Sequence, residues 1–144
     1  LPELNLLSNY FLKCSFPNKK IITDSELDLE NEQKLKENDF ILMCPSTLEK
    51  LKESSIDLTI NTTSLGEMTD DMQNYYIENI ERISKSFYSV NRARMRKEKY
   101  NSRGFYSFNF KKKWNTLLYK FNHTYHIEFF GENEEFKKDI KNKS

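Results

Sequence analysis

The sequence predicts an α/β domain with a mostly parallel sheet and an antiparallel edge pair. Segments of helical and strand periodicity alternate along the chain, which is typical of parallel sheets. The stretch from Ile56 to Met68 has the pattern of a strand that ends in a polar cluster before a helix. Two strand-like runs, 115–121 and 123–130, then follow each other closely. Such a pair is expected to be antiparallel and to close one edge of the sheet.

The first predicted element is a helix over residues 3–16. Leu4, Leu7 and Phe11 recur at spacings of three and four, with further apolar residues beside them, which predicts a wide buried face. Pro17 follows the predicted end of this helix. The elements predicted next are strands at 19–23 and 39–44, a solvated loop with a short helix at 24–38, and a short helix at 47–53.

The central segment combines a strand, a polar cluster and a capped helix. Ile56, Leu58 and Ile60 alternate with polar residues, so a strand with a buried apolar side is expected. Thr69 is placed to cap the next helix, over residues 70–84. The remaining predicted elements are a strand at 87–91, a basic loop at 92–103, a strand or irregular loop at 105–110 and a charged tail at 133–144.

Composition excludes several classes of function. With 144 residues the chain is long enough for one domain with a core. Its net charge of +1 gives no support to binding of a polyanion such as nucleic acid. Cys14 and Cys44 lack a metal-binding spacing and are expected to be free thiols, and His123 and His126 alone do not predict a metal site. No apolar run is long enough for a membrane span, and a cytoplasmic location is expected.

Glycine is scarce, which limits the cofactors that this chain is expected to hold by itself. The glycines are Gly66, Gly104 and Gly131, and none stands in a nucleotide-binding pattern after an early strand. Two interpretations remain. Either the protein binds no such cofactor, or a first strand and its glycine turn lie upstream of Leu1.

Several segments together resemble a known family. Leu1-Pro2-Glu3-Leu4, Tyr10-Phe11-Leu12, the strand at 40–45, the Asn-Thr-x-Ser-Leu-x-Glu-Met segment at 61–68 and the Phe-Tyr-Ser-Val-Asn-Arg segment at 87–92 carry the likeness. Over residues 1–132 the chain resembles the C-terminal part of class I S-adenosylmethionine-dependent methyltransferases, in particular the bacterial sugar O-methyltransferases. The resemblance implies a Rossmann-like methyltransferase sheet that lacks its first strand and glycine loop. It also implies methyl transfer to a sugar hydroxyl, with this chain alone inactive and binding S-adenosylmethionine weakly or not at all.

The resemblance and the position of polar residues at strand ends together indicate site residues. Ser46, Asn61 and Thr62 are expected to bind the cofactor, and Ser64, Asn91 and Arg92 to bind the sugar. Glu67 is the candidate general base. Structural alternatives exist for each. Ser46 is also placed to cap a helix, the cluster at 61–64 to satisfy its own backbone, Glu67 to be merely exposed, and Arg92 to belong to a solvated loop.

Two other classes of function remain open. The first is a non-catalytic α/β binding module or degenerate domain. The second is a small RNA-binding domain that uses the basic and aromatic segment at 92–106, against which Glu98 and the low net charge argue. The predicted partner is a sugar or glycan, without nucleic acid or membrane, and homo-oligomerisation is left open. Because a sheet without its first strand exposes edges and apolar surface, the isolated chain is expected to aggregate or to need a partner.

Overall fold

The computed structural model describes residues 2–92, 114–121 and 126–134. The chain forms two compact units, Leu1–Leu51 and Lys52–Ser144, and each is described by itself. The prediction that residues 1–132 belong to one methyltransferase-like domain stays a prediction. The predicted loop beyond Arg92, the segment at 105–110 and nearly all of the charged tail lie outside the described residues.

The N-terminal unit is a small α/β arrangement with a parallel pair of strands. Its elements are α1 (Pro2–Ser15), β1 (Ile21–Thr23), a 3-10 helix (Asp24–Glu26), α2 (Glu32–Lys36), β2 (Phe40–Leu42) and a second 3-10 helix (Pro45–Lys50). Strand β1 pairs in parallel with β2, with Ile22 opposite Ile41. These elements agree with the predicted positions, although both strands are shorter than predicted.

Helix α1 has about the predicted length, but the prediction that it buries a wide apolar face is wrong. Leu4, Leu7 and Phe11 are all more than half exposed. Its partners within the N-terminal unit are the three-residue strands β1 and β2. A two-stranded sheet of this size offers too little surface to cover an apolar stripe that runs along 14 residues.

The C-terminal unit is built on a four-stranded sheet in the order β3-β4-β6-β5. Its elements are β3 (Ile56–Thr62), a 3-10 helix (Leu65–Glu67), α3 (Asp70–Ile83), β4 (Ser84–Arg92), β5 (Trp114–Phe121) and β6 (His126–Asn133). Strands β3 and β4 are parallel, whereas β4 with β6 and β6 with β5 are antiparallel. The α/β class and the antiparallel pair at the edge are confirmed.

The prediction of a mostly parallel sheet is wrong for this unit. Of the three pairings among its described strands, only that of β3 with β4 is parallel. The remaining parallel pair, β1 with β2, belongs to the separate sheet of the N-terminal unit. Strand β6 pairs antiparallel with β4. The last two strands therefore make up half of this sheet, whereas they were expected to be only an edge on a larger parallel sheet.

The core of the C-terminal unit lies between α3 and one face of this sheet. Ile77 and Ile80 of α3 pack with Phe87 of β4, Phe129 of β6 and Leu65 of the 3-10 helix. Thr69 caps helix α3 as predicted, since its hydroxyl accepts a hydrogen bond from the N–H of Met72 at 3.5 Å. Burial of these side chains stabilises the fold by roughly 1.5–3 kcal/mol each.

The apolar side of β3 faces away from that core. Ile60 pairs with Tyr88, while its neighbour Thr59 pairs with the buried Phe87. Since successive side chains of a strand point to opposite faces, Leu58 and Ile60 lie on the face opposite α3. They are 47% and 62% exposed. The alternation therefore predicted the strand correctly, but the side that it buries was predicted wrongly.

Candidate functional site

The candidate site lies at the carboxyl ends of the two parallel strands of the C-terminal unit. Asn61 is the penultimate residue of β3, and Asn91 is the penultimate residue of β4. Because the strands run in the same direction, both polar ends meet at one edge of the sheet. In register, Asn61 lies opposite Ser89, so Asn61, Ser89 and Asn91 share the face that α3 covers.

Asn91 is the centre of a hydrogen-bond network that links the two strand ends. Its side chain is fully buried, with 0% exposed. Its Nδ2 donates to Asn61 Oδ1 at 2.9 Å and to Ser89 Oγ at 2.6 Å. Its Oδ1 accepts from the backbone N–H of Gly66 at 3.3 Å. Both protons of the amide are thus used inside the protein, which satisfies a polar group that would be costly to bury alone.

Asn61 connects this buried network to the surface. Its Oδ1 accepts from Asn91 and, at 3.4 Å, from the backbone N–H of Leu65. Its Nδ2 donates to Ser64 Oγ at 2.6 Å, and Ser64 is exposed. The structure therefore brings three of the predicted site residues, Asn61, Ser64 and Asn91, into one network.

A tight reversal of the chain places Ser64 beside Asn61. Thr63 adopts a left-handed conformation with φ of 61°, and its N–H donates to the carbonyl of Val90 at 2.7 Å. A β-branched residue in this region is unusual and strained. The reversal leads straight into the 3-10 helix Leu65–Glu67, whose N–H groups reach the two asparagines. The sequence showed a polar cluster here but no glycine or proline to indicate so sharp a turn.

Thr62 and Arg92 lie at the same edge but on the other face of the sheet. Thr62 pairs with Val90 in register, one step from the Asn61–Ser89 pair, and Arg92 pairs with His126 of β6. Both side chains are exposed. Neither takes part in the network around Asn91, so a ligand that touches all of these residues has to reach across the end of the sheet.

Glu67 ends the 3-10 helix and has an exposed side chain. Its backbone N–H donates to the carbonyl of Ser64 at 3.1 Å, which keeps it close in the chain to the network. An exposed carboxylate can act as a general base when a hydroxyl group comes within hydrogen-bond distance.

Ser46 belongs to the N-terminal unit and is exposed there. The alternative that Ser46 caps a helix is wrong, because the 3-10 helix begins at Pro45 with Cys44 at the N-cap position. Asp24 binds two residues at the start of this 3-10 helix. Its Oδ1 accepts from the hydroxyl of Thr47 at 2.6 Å and from the N–H of Cys44 at 3.3 Å.

These contacts explain the electrostatics of Asp24. The hydrogen bond from the Thr47 hydroxyl is the largest effect and, with that from the Cys44 N–H, it holds the pKa of the Asp24 carboxyl below its usual 3.8, against a smaller effect of desolvation. Sequence reasoning missed both Asp24 and Ser89. Ser89 was detectable, since it lies two residues before Asn91 on a predicted strand and therefore on the same face.

The described residues contain neither a metal-binding cluster nor a membrane-spanning helix. Among residues 2–92, 114–121 and 126–134 there is no group of three or more His, Cys, Asp or Glu side chains that could hold a metal ion. Within the same ranges no helix is both long and apolar enough to cross a bilayer.

No family model matches the chain, and no curated protein sequence matches it significantly. A functional assignment must therefore come from the residues themselves and from the geometry at the end of β3 and β4.

Proposed function

We propose that this chain forms part of an S-adenosylmethionine-dependent O-methyltransferase that acts on a sugar hydroxyl. The observation that supports it best is the network of Asn61, Ser64 and Asn91 at the carboxyl ends of two adjacent parallel strands. Ligands of open α/β sheets bind at this edge. The segments that carry the resemblance to sugar O-methyltransferases, 61–68 and 87–92, contain all three residues.

The donor groups at this edge fit the proposed cofactor. S-adenosylmethionine supplies an electrophilic methyl group on a sulfonium, and its remaining polar groups are an amino acid, a ribose and a base. Asn61 offers a well-held amide next to the hydroxyl of Ser64, and Thr62 offers a further exposed hydroxyl. Asn61 and Thr62 would hold the cofactor here.

The remaining proposed roles belong to the sugar. Ser64 and Arg92 offer a hydroxyl and a guanidinium to ring hydroxyls, and both are exposed. Glu67 would accept the proton that the sugar hydroxyl loses on methylation. Its carboxylate is exposed, and it follows Ser64 by only three residues in the chain. Held donor and acceptor groups of this kind speed a displacement mainly by orienting the reactants.

Methyl transfer from radiolabelled S-adenosylmethionine to a panel of sugars tests the proposal, with the full-length protein that contains this chain. Label should appear in a sugar ether, and Glu67→Gln should reduce the rate by about 100-fold or more, the usual effect of losing a general base. Glu78→Gln, on an exposed position of α3, is the matched control and should keep the wild-type rate. Failure to label any sugar, together with no binding of S-adenosylhomocysteine in calorimetry, would overturn the proposed function.

A further inference from the structure

Two backbone N–H groups determine which way both asparagine amides point. The N–H of Gly66 is a donor whose direction the chain sets, and it meets Asn91 at the atom that must therefore be the oxygen. The other end of the Asn91 amide is then the nitrogen, which faces Asn61 and Ser89. Asn61 must present its oxygen to that nitrogen, and the N–H of Leu65 points at the same oxygen.

The consequence is a defined polarity at the surface. Both acceptor positions of Asn61 Oδ1 are directed inward, to Asn91 and to Leu65. Its Nδ2 is directed outward, and among the described residues it meets only Ser64 Oγ, so one N–H is left over. Since Ser64 Oγ accepts from Asn61, its own hydroxyl proton is available to a ligand. This end of β3 thus offers two donors side by side.

We propose that Asn91 is a positioning residue that holds Asn61 with its N–H outward, and that Asn61 Nδ2 and Ser64 Oγ together bind a carboxylate. Asn91 is fully buried, so it acts on a ligand through Asn61 and not by contact. A pair of donors favours an oxygen that accepts without donating, and a carboxylate offers two such oxygens in a fork.

Two ligands would carry a carboxylate to this edge. One is the amino-acid end of S-adenosylmethionine, and the other is an acidic sugar such as a uronic acid. The inference rests on the proposed function for these two sources, but the carboxylate itself can be tested without either. Acetate is the simplest probe of the shared chemistry.

Asn61→Asp is the variant that tests polarity with the least disturbance to the fold. Asp retains an inward oxygen for Asn91 and Leu65, and it replaces the outward nitrogen by a second oxygen. The side-chain amide signals of Asn61 and Asn91 in ¹⁵N-edited NMR spectra are the readout. Acetate, glucuronate against glucose, and S-adenosylhomocysteine against methylthioadenosine, which lacks the carboxylate, are the probes.

In the wild-type protein, acetate should shift the Asn61 side-chain signal. One of two ligand pairs should also differ in affinity by at least tenfold: glucuronate should bind more tightly than glucose, or S-adenosylhomocysteine more tightly than methylthioadenosine. Asn61→Asp should bind acetate at least tenfold more weakly than wild type. Its Asn91 side-chain signal should keep the wild-type position in the absence of ligand, which shows that the buried network is intact. Binding of acetate but of neither larger ligand would support the carboxylate site and count against the proposed function. No shift with acetate would overturn the inference.

The positioning role of Asn91 has its own matched pair. Asn91→Asp replaces the donor that holds Asn61 by an acceptor. The Asn61 amide should then turn around and direct its nitrogen inward. This should abolish acetate binding and slow the exchange of the Asn61 amide protons with solvent. Ser89→Ala removes another hydrogen bond of the same network without changing this polarity, so acetate binding should stay within twofold of wild type. Equal loss in both variants would mean that Asn91 is merely structural. If Asn91→Asp does not fold, Asn91→Ala, which also removes the donor to Asn61, takes its place in this comparison.

Discussion

The side-chain nitrogen of Asn91 lies 2.9 Å from the Oδ1 of Asn61, although the two residues are 30 positions apart in the sequence. This bond joins the ends of β3 and β4, and the N–H groups of Leu65 and Gly66 tie the following 3-10 helix to the same pair. The end of β3, the turn after it and the end of β4 are therefore held as one polar unit.

Removing the Asn91 amide should destabilise the C-terminal unit. Asn91→Ala leaves the N–H of Gly66 and the Oδ1 of Asn61 without their buried partner, and such a loss costs about 1–3 kcal/mol. Urea denaturation of the two proteins measures the difference. Ser64→Ala, at the exposed end of the network, should change the free energy of unfolding by less than about 1 kcal/mol. Equal effects of both variants would contradict the central place of Asn91.

Thr63→Gly should raise stability. Thr63 has a φ of 61°, where a β-branched residue costs about 1–2 kcal/mol relative to ordinary conformations and glycine has no such cost. The gain is partly offset because glycine is more flexible in the unfolded chain. Thermal unfolding should therefore show a rise in Tm. Thr62→Gly, at a regular position of β3, should lower Tm, and a fall in both variants would contradict the left-handed turn.

The two faces of the sheet should respond very differently to truncation. Phe87 is 0% exposed and belongs to the core under α3, so Phe87→Ala should cost about 3–5 kcal/mol. Ile60→Ala removes an apolar side chain that is 62% exposed on the opposite face, and should cost less than about 1 kcal/mol. Chemical denaturation measures both. Similar costs would show that the apolar side of β3 is buried after all.

Gly131 should not tolerate a side chain. A Cβ at this position of β6 would lie 2.6 Å from Cζ of Phe129 and 3.1 Å from Cβ of Trp114. The Phe129 ring is itself buried in the core and cannot simply move aside, so Gly131→Ala should destabilise by about 1–3 kcal/mol, as overpacking does. Near-UV circular dichroism should change as well. Thr116→Ala, opposite Gly131 on β5 and exposed, is the control that should leave the spectrum intact.

The N-terminal unit should lose stability in acid through Asp24. The hydroxyl of Thr47 and the N–H of Cys44 hold the pKa of Asp24 below 3.8 in the folded state. A carboxyl whose pKa is lowered by folding stabilises the fold above its unfolded pKa, and that contribution is lost as the pH falls from about 3.8 through the folded pKa. NMR signals of residues 21–50 measure the transition.

Asp24→Asn should remove this contribution, so its N-terminal unit should be less stable at neutral pH and less sensitive to acid. Thr47→Val deletes the largest cause of the pKa shift and should raise the pKa of Asp24 toward 3.8. An acid transition with the same midpoint in wild type and in Asp24→Asn would contradict the role of this carboxylate.

The local elements could be predicted from the sequence because their signals are local. Periodicity located α1, α3, β3 and β4 to within a few residues, and Thr69 indicated where α3 begins. The polar cluster after β3 and the polar end of β4 indicated the edge at which Asn61 and Asn91 meet. These inferences need only the spacing of apolar residues and the positions of polar ones, and both can be read directly from the sequence.

The partners of those elements could not be predicted in the same way. Alternation showed that β3 has an apolar side, but which side α3 covers depends on the crossover to β4, and the structure places Phe87 there instead of Ile60. The insertion of β6 beside β4 and the exposure of α1 likewise depend on contacts between distant segments. The sequence by itself determined the elements and the polar edge. Only the tertiary structure decided the buried face, the strand order and the direction of the Asn61 amide, because burial and hydrogen-bond polarity are set by neighbours far apart in the chain.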